Sequence, residues 1–143
     1  MFLIVGPKRL DVLEKFSPDP NTIIREEEVL TKERFDLYLF ASDAVVLHKF
    51  QSRFRAVVSS TVYQIMDTGC PILVPKASDF FYPFSREVLK YSDTIELRKN
   101  LIDILNNGEK SKEVKKAASS YVERYSDETI ARKYLELFEK IKY

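Results

Sequence analysis

Short apolar runs alternate along the chain with stretches whose apolar residues recur every three or four positions. A wholly apolar run bounded by turn-formers predicts a buried strand, and the longer spacing predicts an amphipathic helix. Phe2 to Val5 is such a run, ended by Gly6-Pro7; Leu10, Leu13 and Phe16 then predict a short helix, closed by Ser17-Pro18-Asp19-Pro20-Asn21. Thr22 to Arg25 reads as a weak second strand and Glu26 to Glu28 as a solvated acidic turn. Thr31 is placed to cap a helix whose apolar face is Phe35, Tyr38 and Leu39 and which ends near Ser42-Asp43. Ala44 to Leu47 is a third run, of the kind found in parallel sheets buried on both faces.

The pattern breaks from Lys49 to Ala56, and Val58, Val62, Ile65 and Met66 then predict a helix that Gly69 ends. Pro71 to Pro75 is a further strand, its prolines marking the ends because a sheet interior excludes them. Ala77 to Phe84 is an aromatic-rich loop and Val88 to Tyr91 a last strand. Three helices follow. Thr94 to Asn107 turns Leu97, Leu101, Ile104 and Leu105 inward; Lys110 to Tyr125 turns Val114, Ala117, Ala118, Tyr121 and Val122; Asp127 to Lys142 turns Ile130, Tyr134, Leu137, Phe138 and Ile141. This alternation predicts an α/β fold: a Rossmann-like open parallel sheet with helices on both faces, right-handed crossovers and a closing C-terminal helical segment. Ligands of such sheets bind beyond the carboxyl ends of the strands, which directs attention to Gly6–Arg9, His48–Ser60 and Lys76–Phe84.

Composition narrows the function. At 143 residues the chain predicts a single domain, residues 1–143. Its 23 basic and 22 acidic residues leave a net charge of +1, so no bulk field favours nucleic acid or an anionic membrane. One cysteine, Cys70, excludes an internal disulfide, and with His48 as the single histidine no Cys/His metal cluster can form. Neither a signal peptide nor a membrane span is predicted, and a cytoplasmic protein without metal or cofactor is the expectation. No Walker sequence, Gly-rich phosphate motif or Ser-x-x-Lys nucleophile is present.

The charge is nonetheless local. Between Asp43 and Asp67 there is no acid, while Lys49, Arg53 and Arg55 bring three positive charges beside His48. Ser59, Ser60 and Thr61 then stand at the start of a helix, where free backbone N–H groups and small hydroxyls favour a phosphate or diphosphate. Two arginines can grip such a group bidentately. The same residues also fit a plain helix cap and a solvated loop. Phe80, Phe81 and Tyr82, beyond the Pro71–Pro75 strand, suit either stacking of a base or sugar or the covering of an open apolar edge. His48 suits protonation of a leaving phosphate or a structural hydrogen bond. Cys70 reads as a small buried hydrophobe, and the charges of Lys110–Lys116 as a solvated helix face.

Tyr38-Leu-Phe-Ala-Ser-Asp-Ala-Val-Val-Leu47 followed by Tyr63-Gln-Ile-Met-Asp-Thr-Gly-Cys-Pro-Ile-Leu-Val74 resembles the C-terminal, nucleotide-sugar-binding domain of GT-B glycosyltransferases, especially the retaining group. Leu3–Gly6, Tyr91–Leu97, Leu101–Leu105, Ala117, Ala118, Tyr121 and Ser126–Ala131 through Leu137–Glu139 extend the similarity over essentially the whole chain. The resemblance implies a glycosyltransferase-like protein taking a UDP-, GDP- or ADP-linked sugar. Ser59-Ser60-Thr61 falls where the family's Gly-Leu-Pro receives the diphosphate, Gln64 where a glutamate holds the ribose, and Ala56 where another glutamate lies near the sugar. Both family carboxylates are thus replaced.

The implied site comprises His48, Lys49, Arg53, Arg55, Ser59, Ser60, Thr61 and Gln64, with no catalytic residue assigned. The resemblance also implies a second, acceptor-binding domain, expected on a separate polypeptide. Orientation alone supplies about 7–11 kcal/mol of barrier lowering in group transfer, so half a site does not catalyse by itself. Two expectations follow: a sugar-nucleotide binder that pairs with a separate N-terminal-type subunit or with itself, or an inactive scaffold that keeps the half-fold.

Overall fold

The computed structural model describes residues 2–5, 23–26, 30–51 and 57–141. The chain divides into two compact units, Met1–Tyr38 and Leu39–Tyr143. In the first, β1 (Phe2–Val5) pairs parallel with β2 (Ile23–Glu26), Phe2 opposite Ile23 and Val5 opposite Glu26. The second strand therefore runs one residue later than the expected Thr22–Arg25, because pairing along all of β1 draws Glu26 out of the acidic turn and into the ladder. The short helix expected at Leu10–Phe16 lies outside the described residues.

Helix α1 (Lys32–Ala41) opens after Thr31, whose hydroxyl accepts a long 3.4 Å bond from the Arg34 amide. The unit boundary falls inside it, after Tyr38. Of its expected apolar face, Leu39 is buried, while Phe35 and Tyr38 are half-buried.

The second unit carries β3 (Val45–Val46), α2 (Ser60–Met66), β4 (Ile72–Pro75), β5 (Leu89–Tyr91), α3 (Thr94–Leu105), α4 (Glu109–Arg124) and α5 (Asp127–Ile141). Its sheet runs in the order β3-β4-β5 with both pairings parallel. With five α-helices among the described residues, the architecture is mixed α/β around an open parallel sheet. Central β4 is buried along its whole length. Against it and β5 pack α2 and α3, and α4 packs on α2 and α3. Burying each large side chain here, among them Ile65, Ile72, Leu73, Phe81 and Phe84, contributes about 1.5–3 kcal/mol.

Four sequence expectations need correction. Ala44–Leu47 was expected to be buried on both faces, but β3 holds two residues with Val46 exposed, since it has one hydrogen-bonded neighbour among the described strands. Val58 lies before α2 and is exposed rather than on its inner face. Leu105 is exposed because Leu97, Leu101 and Ile104 already complete the stripe facing Leu73 and Tyr91. In α5 no residue is buried, and Ile130, Tyr134, Leu137, Phe138 and Ile141 all face outward uncovered. No helix among the described residues is long and apolar enough to cross a membrane.

Helix boundaries follow local chemistry. Asp93 caps α3 by accepting the Glu96 amide at 2.8 Å, and the Glu96 carboxylate accepts the Ser92 amide at 2.9 Å, close to a capping box. The α3–α4 corner works differently. Gly108 occupies the N-cap of α4 without a side chain to cap with, and Asp103 reaches over from α3 to accept the Ser111 amide at 2.8 Å. A Cβ on Gly108 would collide with that carboxylate. Gly108→Ala should therefore destabilise by about 1–2 kcal/mol in chemical denaturation, and by clearly less in an Asp103→Ala background, where the collision and the cap are both gone. Equal costs in the two backgrounds would contradict this account of the corner.

Candidate functional site

Both connections into β4 define which end of the sheet is which. Met66 ends α2 a short turn before Ile72, so the end of α2 lies by the amino ends of the strands and its start points toward their carboxyl ends. At those carboxyl ends three segments meet: residues 47–50 after β3, residues 76–81 after β4, and Tyr91 closing β5. Their backbones are tied together. Leu47 N–H donates to the Leu73 carbonyl, Lys76 N–H to that of Tyr91, and Asp79 N–H to that of Phe50.

His48 is exposed just past β3, and its Nδ1 lies 2.7 Å from the Tyr91 hydroxyl. The two rings are nearly parallel, 9° apart with centroids at 6.2 Å, and Phe50 meets the imidazole edge-on at 4.6 Å. Since β4 separates β3 from β5, this hydrogen bond spans the carboxyl end of the central strand. Burial raises the Tyr91 pKa above its ordinary value, which keeps the phenol protonated and able to donate. Lys49, also exposed, sets its ammonium 5.6 Å from the centroid of Phe80. Phe80 is half-buried, Phe81 buried and Tyr82 exposed, so the aromatic loop divides between core and surface.

The α2 residues behave unequally. Ser59 occupies the N-cap position in extended conformation, φ −81° and ψ 109°, yet its side chain makes no capping hydrogen bond. It is 3% exposed, and its hydroxyl has no partner among the described residues. Ser78, just past β4 and 6% exposed, stands in the same condition before the 3-10 turn Asp79–Phe81. Burial of an unpaired hydroxyl costs about 1–3 kcal/mol, which a ligand or water atom would recover. Ser60 and Gln64 are exposed one turn apart on the outer face, with Thr61 half-buried beside them. No hydrogen bond or ring contact among the described residues joins this group to His48 or Lys49. Arg53, Arg55 and Ala56 lie outside the described residues. With seven residues, α2 is also a short source of helix dipole.

The opposite end of the sheet holds a cavity of about 210 Å3 whose walls include Ser42, Asp43, Thr68, Cys70, Leu105 and Lys115. Two of its polar atoms are already engaged: Thr68 Oγ1 donates to the Ile65 carbonyl at 2.7 Å and Cys70 Sγ to that of Ser42 at 3.3 Å. Burial pushes the Cys70 thiol up to about 11, so it stays protonated and unreactive near neutral pH. Among the described residues no three His, Cys, Asp or Glu side chains are grouped to hold a metal ion.

Tyr91 and Ser78 are the site residues that sequence reasoning missed. Both follow strands, but Tyr91 reads equally as a core aromatic, and its partner is 43 residues away. No protein-family model matches this chain, and no solved structure matches it.

Behind the site, Tyr63, Phe84 and Tyr121 link α2, the aromatic loop and α4, with ring centroids 5.4–6.2 Å apart. Desolvation, then the hydrogen bond with Tyr63, pushes the Tyr121 phenol up to about 12. A folded-state pKa above the unfolded 10 means that the native state holds this proton longer. The resulting stabilisation is complete below pH 10 and is lost as pH rises through about 12. Thermal melts should show a drop in Tm above pH 10 that Tyr121→Phe reduces; an unchanged alkaline slope in that variant would contradict it.

Proposed function

We propose that this chain is a GT-B-type, Rossmann-like unit that binds a sugar nucleotide at the carboxyl ends of β3 and β4 and serves glycosyl transfer together with a separate acceptor-domain subunit. One observation carries the reading: of the three buried, unpartnered hydroxyls among the described residues, Ser59, Ser78 and Ser111, the first two follow adjacent parallel strands at the end where such sheets bind ligands. A plain helix cap would have engaged Ser59, and it does not. In this reading the two hydroxyls donate to diphosphate oxygens, Lys49 supplies positive charge from the rim, and His48 offers a ring N–H toward the sugar side. Gln64, on the outer face of α2, meets the ribose, Ser60 and Thr61 join Ser59 at the diphosphate, and Arg53 and Arg55 add positive charge. The UDP-, GDP- or ADP-linked donor carries its own leaving group, so this half of the site holds and neutralises the diphosphate while the partner subunit orients the acceptor.

Calorimetric titration with UDP-glucose, GDP-mannose and ADP-glucose should show binding of one of them below millimolar concentration. Ser59→Ala should weaken it about 10-fold, the loss expected of one hydrogen bond to a charged group. No heat from any of the three at millimolar concentration, with the protein folded, overturns the reading.

A second reading, an interaction module that keeps the half-fold, is favoured by α5. Ile130, Tyr134, Leu137 and Ile141 form an uncovered seam at alternating spacings of four and three, the spacing of a coiled coil. Asp127 and Glu128 open the helix and Lys140 stands in its last turn, so an antiparallel pair with a second copy sets opposite charges end to end. Sedimentation should then show a dimer that Leu137→Asp dissociates; a monomer at all concentrations removes this reading.

A further inference from the structure

We propose that Tyr91 is a positioning residue whose hydroxyl, donating to His48 Nδ1, holds the imidazole with its proton on Nε2 and so presents a fixed N–H donor to an acceptor oxygen of the bound ligand. This rests on the sugar-nucleotide reading for the identity of the ligand, but not for the pairing itself.

The geometry supplies each step. The Nδ1-to-hydroxyl distance is 2.7 Å, within the range of a well-formed hydrogen bond. Tyr91 is 5% exposed and is held in the core with Leu73 and Ile104, so its hydroxyl cannot swing away while the sheet is intact. It also lies in the last position of β5, in register with Pro75, so the residue stands at the carboxyl end of the strand. Phe50 against the ring edge and Tyr91 alongside its plane then limit rotation of the imidazole. A neutral imidazole carries one proton, and when Nδ1 accepts, that proton sits on Nε2. The phenol has a proton to give, because burial raises its pKa. The outcome is an exposed side chain whose free nitrogen has one role, that of donor, and one direction. A donor of fixed direction suits a phosphate or sugar oxygen, which accepts along its lone pairs and loses affinity when the donor must be oriented on binding.

His48 is the single histidine, so a long-range nitrogen–proton NMR spectrum of the nitrogen-15-labelled protein reports one imidazole without assignment. With the ring neutral, Nδ1 should show an unprotonated resonance displaced by hydrogen bonding, and Tyr91→Phe, which keeps the aromatic ring in the core, should return it to the position of free imidazole. A protonated Nδ1, or a spectrum unchanged by Tyr91→Phe, overturns the pairing. The donor role is read from binding of UDP-glucose, GDP-mannose and ADP-glucose. His48→Gln, whose amide N–H reaches toward the Nε2 position, should stay within about 3-fold of the parent, and the shorter His48→Asn should lose about 10-fold. Equal losses in the two variants overturn the donor role. If none of the three nucleotides binds the parent protein, the sugar-nucleotide reading and the donor role both fail, while the spectrum still judges the Tyr91–His48 pairing.

Discussion

A strand buried along its length and hydrogen-bonded along both edges has no surface left for water, and Ile72–Pro75 is that strand in the larger unit. Its burial requires an apolar layer against it, which Val62, Ile65 and Met66 of α2 help to provide, and a strand on each side, which fixes β3 and β5. Pro75 closes the strand. As its last paired residue it sits opposite Tyr91, and the chain then turns at Lys76 into the aromatic loop. The site follows from this arrangement. His48 follows β3 and Tyr91 ends β5, strands that do not pair with each other, yet the two hydrogen-bond because the central strand ends there and the flanking chains close over it.

How much of this was legible in the sequence depended on whether the signal was local. The apolar run Pro71–Pro75 and the α3 stripe Leu97, Leu101 and Ile104 show their inward face through pattern alone, and the structure buries the run and Ile104 and packs Leu97 and Leu101, half-buried, against them. Gly69, expected to end α2 and found at φ +70°, is a boundary signal of the same local kind. The position of His48, directly after an apolar run, was likewise readable. What it bonds to was not, since a contact between residues 48 and 91 depends on strand order. Ser59 was legible as a helix start, but that its hydroxyl stays unpaired is a property of the packed state, as is the orphaned Ser78.

The error at α5 has a different origin. Periodicity tells which face of a helix is apolar and says nothing of what meets that face. In α3 the stripe found Leu73 and Tyr91; in α5 the same kind of stripe found nothing among the described residues. Leu105 shows the limit on a smaller scale, since a helix face about 100° wide has room for Leu101 and Ile104 and leaves the next residue at its margin.

An isolated helix of about 12–15 residues is marginal in water even with favourable composition, because nucleation costs more than a few backbone hydrogen bonds return. Helix α5 is 15 residues long and buries none of them. Its acidic first turn and Lys140 in the last turn complement the helix dipole, but such terms contribute about 0.3–1 kcal/mol each and do not replace a packed face. A covered seam would contribute several times as much, since each large side chain removed from water adds about 1.5–3 kcal/mol. The same energetics favour the second proposed reading, since the apolar stripe of α5 gains most from a surface that covers it. The carboxyl end of the sheet, with His48, Tyr91 and Ser78, and the exposed stripe of α5 are carried by different elements, so mutation can address them one at a time.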